Sequence, residues 1–234
     1  MSIGQAKRNV VVAMTGASGA AYGMRLVEAL VATGADVQLT ISPAAADVIR
    51  QELDLAVDLE RFHVGQLMLD IGPAPDDLKL QQLRTLSDVG SESSNVLSFS
   101  TGEPGHIQFR RYDDLMAPIA SGSYPTDGMV VCPCSGGTLS AVVHGTSRNL
   151  IHRAAEVHLK ERRTLVLVPR ETPLSQIQLE NMLRAARIGA VILPAAPGFY
   201  HGVKSIGDLV DFVVARVLDQ LGIANNLIEP WGTA

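Results

Sequence analysis

The fold is decided by residues 8–42, RNVVVAMTGASGAAYGMRLVEALVATGADVQLTIS. Arg8–Thr15 is apolar and rich in β-branched residues, which predicts a buried strand. A turn of small residues, Gly16–Ala20, follows, and Tyr22–Ala32 then carries apolar residues at helical spacing. Val37–Ser42 predicts a second strand. This strand–helix–strand order is typical of a parallel sheet covered by helices.

The rest of the chain continues the same alternation. Further helices are predicted at 43–52, 135–143, 150–161, 175–187 and 206–221, and further strands at 128–133, 164–169 and 190–193. Because the pattern never separates into two blocks, we expect one doubly wound α/β domain over residues 1–234. Within it, a helix is expected at 76–86, followed by a long Ser- and Gly-rich loop or mobile hairpin at 87–105. A ligand should bind where loops leave the carboxyl ends of the strands.

Composition excludes several classes of protein. The chain has 234 residues, of which 47% are hydrophobic, and a net charge of −5. These values favour a globular protein and argue against one that coats nucleic acid. No apolar run is long enough to span a membrane, and Val10–Met14 is too short for a signal-peptide core. We therefore expect a cytoplasmic location and no membrane partner.

Cysteine and histidine residues give little sign of redox or metal chemistry. Cys132 and Cys134 are two residues apart in a predicted strand, so we expect both on one face, as reduced packing residues. The six histidines form no HExxH motif and no pair at i, i+4 spacing. The sequence therefore predicts no metal site.

Two turns of small residues each follow a predicted strand and precede a predicted helix. They are Gly16–Gly19 and Cys134–Thr138, and either is also compatible with a plain connecting turn. Backbone amides at a helix N-terminus, together with hydroxyl groups, bind phosphate well. Neither turn has the G-x-G-x-x-G pattern, and Ser42-Pro43 stands where an acidic residue would bind a ribose. This favours a mononucleotide over NAD.

Charged or polar residues follow two other predicted strands, 164–169 and 190–193. Arg170 and Glu171 follow one strand, where a guanidinium can bind phosphate and a carboxyl can carry a proton. The run 160–163, KERR, is by itself typical of a solvated helix end. Tyr200 is a candidate phosphate or proton partner. Tyr200 and Lys204 also match the Y-x-x-x-K pair of short-chain reductases, but the nearby Gly and Pro residues predict a loop rather than the required helix.

Four segments together carry a resemblance that covers nearly the whole chain. They are VVVAMTGASGAAYGMRLVEAL at 10–30, APIASGSYPTDGMVVCPCSGGTLSAV at 117–142, RAAEVHLKERRTLVLVPRETP at 153–173 and LENMLRAARIGAVILPAAPGFYH at 179–201. In combination they resemble the flavin prenyltransferases, the UbiX-type enzymes of ubiquinone biosynthesis, formerly named phenylacrylic or polyprenyl-hydroxybenzoate carboxy-lyases. The resemblance thins over residues 53–108.

The resemblance implies a fold, an assembly and a reaction. The fold would be a Rossmann- or flavodoxin-like sheet, and the assembly a homododecamer with active sites at subunit junctions. The reaction would join the dimethylallyl group of dimethylallyl phosphate to N5 and then C6 of reduced FMN, with no metal. The product, prenylated FMN, would serve a UbiD-type decarboxylase.

The resemblance also implies roles for individual residues. Those implied to bind FMN are Gly16, Ala17, Ser18, Ser42, Ser135, Gly136, Gly137, Thr138 and Arg170. Those implied to bind the prenyl phosphate or close its pocket are Ser121, Lys160, Tyr200, Arg216 and Trp231. Catalytic roles fall to Ser18, Glu52, Glu171 and Lys160. Some family members have Lys where this chain has Gly137.

Other functions remain compatible with the sequence. One is a carrier that binds FMN without modifying it. Another is an FMN-dependent decarboxylase of the same fold, although the cysteine decarboxylases need a Pro-x-Met-Asn motif. The chain offers only Asn181-Met182, within a predicted helix. A direct carboxy-lyase and a nicotinamide-dependent reductase are the remaining alternatives.

Overall fold

A six-stranded parallel sheet forms the centre of the protein. The computed structural model describes residues 7–67, 104–200, 202–229 and 232. The strand order is β3-β2-β1-β4-β5-β6, and every neighbouring pair is parallel. The strands are β1 (Asn9–Met14), β2 (Asp36–Ile41), β3 (Ile107–Phe109), β4 (Gly128–Cys134), β5 (Leu165–Pro169) and β6 (Val191–Ile192).

Helices cover both faces of the sheet, so the predicted doubly wound architecture is confirmed. They are α1 (Ala20–Ala32), α2 (Pro43–Leu53), α3 (Gly136–Val143), α4 (Leu150–Lys160), α5 (Gln176–Arg187) and α6 (Ile206–Gln220). One core cluster joins α1, α2 and α6 to the sheet, and the other joins α3, α4 and α5 to its opposite face. In the part of the chain that the structure describes, no helix has both the length and the apolar character needed to cross a membrane.

Local sequence signals explain where most helices begin. Ser42, Ser135, Asn149, Ser175 and Ser205 each accept a hydrogen bond from a backbone amide in the first turn of the helix that follows. Such residues satisfy amides that have no partner within the helix. The predicted helices and strands in the described ranges agree with the structure to within two residues at each end.

Two features of the sheet differ from expectation. Strand β3 was not predicted, because three residues are too few to show a period. The two cysteines do not share a face: Cys132 belongs to the core cluster that contains Val10, whereas Cys134 belongs to the cluster on the opposite face, which contains Val11. The pairing register between β4 and β5 is irregular between Val131 and Cys134. The Cys134 side chain therefore points to the face opposite to that of Cys132. The predicted helix at 76–86 lies outside the described residues, as does the predicted loop at 87–105 apart from residues 104 and 105.

Candidate active site

The loops that follow β1, β2, β4 and β5 meet along one edge of the sheet. Connections from β1 run outward through β2 to β3, and the chain then returns to continue from β4 on the other side of β1. Such a reversal opens a crevice at the carboxyl ends of the two central strands, where ligands of doubly wound sheets bind. We call the residues gathered there the carboxyl-edge site. They are Gly16, Ala17, Ser18, Ser42, Glu52, Ser135, Gly136, Gly137, Thr138, Arg170 and Glu171.

A buried threonine joins the two small-residue turns of the carboxyl-edge site. The Thr15 hydroxyl donates to the carbonyl of Pro133 at 2.8 Å and accepts from the amide of Ser135 at 2.8 Å. Thr15 is 2% exposed. It therefore sets the distance between the turn after β1 and the turn after β4. Sequence analysis missed this role, and the available signal was a threonine ending an otherwise apolar strand.

Close packing explains the glycines of the first turn. A Cβ on Gly16 would lie 2.6 Å from Cβ of Ala44, so this turn presses against the start of α2. Gly19 has φ +107°, a conformation that other residues rarely adopt. Between them Ala17 is buried and Ser18 is exposed. Ser18 is therefore the side chain of this turn best placed to face a ligand.

Glu52 binds the N-terminus of α1. Its carboxylate accepts from the amide of Gly19 at 2.9 and 3.1 Å and from the amide of Ala20 at 2.8 Å. These amides carry the partial positive charge of the helix N-terminus, which favours an anion. In the structure an internal carboxylate accepts the hydrogen bonds of these two amides, and the binding of a phosphate by the turn Gly16–Gly19 stays a prediction. The same contacts place the Glu52 carboxylate at Gly19 and Ala20, the two residues that follow Ser18.

The second turn is organised by Ser135, the N-cap residue of α3. Its hydroxyl accepts from the amide of Thr138 at 3.3 Å and donates to the Thr138 hydroxyl at 3.1 Å. Gly137 is exposed, and a Cβ added there would meet no described atom within 4 Å. A Cβ at this position would therefore displace none of the described atoms. On the other side of β1, Ser42 caps α2 through the amide of Ala45 at 3.1 Å.

Arg170 and Glu171 complete the carboxyl-edge site from the end of β5. Arg170 Nε donates to the carbonyl of Ser18 at 3.2 Å, so the loop after β5 contacts the turn after β1. Glu171 is exposed and accepts from Gln178 Nε2 at 3.1 Å. The structure thus places the predicted residues of this edge around one crevice. Glu171 lies there too, but its described hydrogen bond is to Gln178 of α5 and not to either turn.

Ser121 and Lys160 lie at the opposite edge of the sheet, and we call them the amino-edge group. Lys160 ends α4 and pairs with Glu161, and a Cβ on Gly122 would lie 2.7 Å from Lys160 Nζ. The segment carrying Ser121 therefore packs directly against Lys160. Strand β4 has seven residues, so its two ends are about 20 Å apart. The amino-edge group therefore lies far from the carboxyl-edge site of its own chain.

Tyr200 and Arg216 form a third group beside β6 and α6, which we call the helix-edge group. The Tyr200 ring meets the Phe212 ring edge-on, with centroids 5.6 Å apart. Phe212 and Arg216 both line a cavity of about 260 Å³ between β6 and α6. Arg216 is exposed and binds Asp219 at 2.7 Å. Trp231, the remaining predicted substrate residue, lies outside the described residues.

Two motifs of the alternative functions have the local structure that the sequence predicted. The described part of the Tyr200–Lys204 stretch is turn and coil, so this pair does not lie on a helix. Asn181 and Met182 lie inside α5, and Asn181 is 5% exposed. Neither motif therefore has the setting that a reductase or a cysteine decarboxylase requires. Among the described residues, no group of three His, Cys, Asp or Glu side chains could hold a metal ion.

The comparison with known proteins identifies the family. The family profile described as Flavoprotein matches residues 3–218. A Pseudomonas aeruginosa protein named flavin prenyltransferase UbiX is 48% identical over 95% of this chain and 93% of its own length. This chain belongs to the flavin prenyltransferase family. The resemblance found in the sequence is thereby confirmed, and the protein is a prenyltransferase.

Two solved structures of similar proteins share the fold over nearly the whole chain. A crystal structure of AnUbiX (PadA1) in complex with FMN and dimethylallyl pyrophosphate is 37% identical, with a TM-score of 0.72, over 97% of this chain and 99% of that chain. A dodecameric FMN-dependent UbiX-like decarboxylase from Escherichia coli O157:H7 is 34% identical, with a TM-score of 0.70, over 97% of this chain and 100% of that chain.

Proposed function

We propose that this prenyltransferase joins the dimethylallyl group of dimethylallyl phosphate to N5 and then C6 of reduced FMN. The prenylated FMN would serve a UbiD-type decarboxylase. The observation that carries the proposal is the carboxyl-edge site, where two small-residue turns lie beside a fixed carboxylate, Glu52. The similar AnUbiX structure, which contains FMN and dimethylallyl pyrophosphate, supports FMN and a dimethylallyl donor as the substrates.

The carboxyl-edge site has the chemistry that a mononucleotide requires. Small residues let a planar ring approach the backbone, and the exposed Ser18 and Gly137 leave the surface of both turns open. The Arg170 guanidinium and the hydroxyls of Ser42, Ser135 and Thr138 are suited to phosphate and ribityl oxygens. Reduced FMN, when bound, supplies the electron-rich ring that accepts the prenyl group.

Glu52 is positioned to act as a base. Three hydrogen bonds from the backbone amides of Gly19 and Ala20, at 2.8 to 3.1 Å, fix the position of its carboxylate beside Ser18. We assign to Glu52, together with the neighbouring hydroxyl of Ser18, the removal of the proton from the flavin carbon that receives the prenyl group. The carboxylate needs no movement of the backbone to do this.

Departure of the phosphate is assigned to cationic side chains and one acid. Lys160, Arg170 and Arg216 would offset the charge that develops on the leaving oxygen. Glu171 would protonate the phosphate as it leaves. A Glu171→Gln variant with unchanged turnover would contradict this last role.

The amino-edge group and the carboxyl-edge site must come from different chains to act on one substrate. Dimethylallyl phosphate is much shorter than the separation between the two edges of the sheet, and catalytic groups must lie within contact distance of the reacting atoms. The dodecameric E. coli neighbour supports a homododecamer with sites at subunit junctions. Exposed apolar side chains also favour assembly, including Met116 at 92% and Ile177 at 71% exposure.

The mass of the flavin after an anaerobic reaction tests the proposal. The protein would be mixed with reduced FMN and dimethylallyl phosphate, and a gain of one five-carbon prenyl unit is expected. Dimethylallyl pyrophosphate is the comparison donor. Unmodified FMN with both donors, while FMN still co-purifies with the protein, would instead favour the carrier or the decarboxylase.

A further inference from the structure

The segment that carries Ser121 is held by α4 as well as by the sheet. Between β3 and β4 the chain forms a single short 3-10 helix, Pro118–Ala120, and otherwise has no regular structure. Near its start, the carbonyl of Tyr112 accepts from the amide of Leu150 at 2.9 Å. In its middle, Arg153 Nε donates to the carbonyl of Ala120 at 3.0 Å. Both donors belong to α4.

Arg163 holds the end of this segment with three hydrogen bonds. Its Nη2 donates to the carbonyl of Gly122 at 2.6 Å, and its Nη1 donates to the carbonyl of Tyr124 at 2.7 Å. Nη1 also lies 3.1 Å from the hydroxyl of Thr126. A planar guanidinium can bind several acceptors in a fixed geometry, which a lysine ammonium cannot reproduce. Arg163 therefore sets the path of residues 122–126.

A buried histidine orients one of the groups that Arg163 binds. His158 is 1% exposed, and its Nε2 lies 2.9 Å from the Thr126 hydroxyl, while its Nδ1 lies 2.7 Å from the carbonyl of Ala154. A carbonyl only accepts, so Nδ1 carries the proton and Nε2 accepts from Thr126. Burial lowers the pKa of His158, which keeps the ring neutral. The Thr126 hydroxyl thus donates to His158 and accepts from Arg163.

We infer that Arg163 is a positioning residue that holds Ser121 against Lys160, so that the amino-edge group presents one surface to the prenyl phosphate. The inference rests on the proposed function, because Ser121 and Lys160 are its donor-binding residues. Gly122 lies in contact with the Lys160–Glu161 pair, since a Cβ there would approach Glu161 Oε1 and lie 2.7 Å from Lys160 Nζ. Arg163 itself binds only segment atoms in these hydrogen bonds and need not touch the substrate.

The test compares Arg163→Met with Arg162→Gln. Arg163→Met keeps the apolar stem and removes the donors, whereas Arg162→Gln removes one charge from the exposed neighbouring position. We expect Arg163→Met to raise KM for dimethylallyl phosphate about tenfold, with a smaller change in kcat, because misplaced binding groups lose contact with the substrate. FMN affinity should not change, because FMN is assigned to the other edge. Arg163→Lys should lie between Arg163→Met and the wild type.

Two further measurements separate this inference from the proposed function. Calorimetry gives the Kd of dimethylallyl phosphate for the FMN-loaded protein, and hydrogen exchange reports the amides of residues 121–126. If the wild type binds the donor but does not prenylate FMN, the proposed function fails, and the inference stands or falls on the Kd of Arg163→Met. Donor Kd and exchange equal to those of Arg162→Gln would overturn it. An equal weakening of FMN and donor binding would also overturn it, since that indicates general loss of structure.

Discussion

The two edges of the sheet organise their functional residues differently. At the carboxyl edge, side chains from separate elements bind each other directly: Thr15 joins two turns, Glu52 binds the start of α1, and Arg170 reaches Ser18. At the amino edge, Ser121 and Lys160 are exposed, and their position depends on a segment held by Arg163. The residues of the carboxyl edge thus contact one another within one chain, whereas we propose that the amino edge completes its site with residues of another copy.

The difference follows from the topology. All strands of a parallel sheet end at the same edge, so the loops that follow them converge without any special arrangement. Residues at helix ends on the opposite edge gain no such convergence. Under the proposed function they join the chemistry through another copy of the chain, which a symmetric assembly would provide.

The largest expected effect comes from mixing two inactive variants. Glu52→Gln removes the base at the carboxyl edge, and Lys160→Met removes the cation at the amino edge. If the two residues meet across a junction, co-expression in equal amounts should restore about a quarter of wild-type activity, because that fraction of sites draws an intact residue from each chain. Turnover per oligomer, measured after co-purification, checks this.

The control for mixing is the double variant co-expressed with wild type. About a quarter of full activity is expected for a site shared between chains, against about a half for a site within one chain. No recovery from the two single variants, together with half activity in the control, would place both residues in one chain's site. That result would contradict a site shared between chains.

Glu52→Gln by itself should separate chemistry from structure. We expect turnover to fall by about 10²-fold or more, since a general base contributes roughly that much. Tm should change little, because the amide oxygen of glutamine can still accept from the amides of Gly19 and Ala20. Glu52→Ala is the matched control and should also lose about 1 kcal/mol of stability with the cap. Wild-type turnover in Glu52→Gln would refute the role as base.

Thr15→Val should damage the carboxyl edge alone. The substitution leaves the amide of Ser135 without its buried partner, which costs about 1–3 kcal/mol in the free energy of unfolding. We also expect weaker FMN binding and unchanged Kd for dimethylallyl phosphate. Urea unfolding and FMN titration measure these effects, and Thr15→Ser should restore both. Equal FMN affinity in Thr15→Val and Thr15→Ser would show that the hydrogen bonds of the Thr15 hydroxyl do not shape the FMN site.

The smallest effect is expected at the cysteines, although Cys134 immediately precedes the second turn. Burial raises the pKa of Cys134 to about 12 and raises that of Cys132 as well, so both thiols stay protonated at neutral pH. Since only the thiolate reacts, alkylating reagents at pH 8 should label neither residue until the protein unfolds. Labelling of the native protein with loss of activity would instead assign chemistry to Cys134.

Much of the fold and part of the site could be predicted from local signals. Apolar periodicity located the helices and the longer strands, and serine or asparagine caps set most helix starts, because both depend on residues a few positions apart. The small-residue turns after β1 and β4 were found in the same way. Glu52 and Lys160 were named only through family resemblance, since no local pattern distinguishes them from surface charges.

The sequence by itself determined the helices and longer strands of the described residues, their parallel arrangement and the edge at which a ligand should bind. Only the tertiary structure decided that Glu52 binds the start of α1, that Thr15 joins the two turns, and that Cys132 and Cys134 face opposite cores. It also separated the predicted site residues into three groups. The physical reason is range: helix and strand formation depends on neighbouring residues, whereas these contacts join positions brought together only when the helices pack on the sheet.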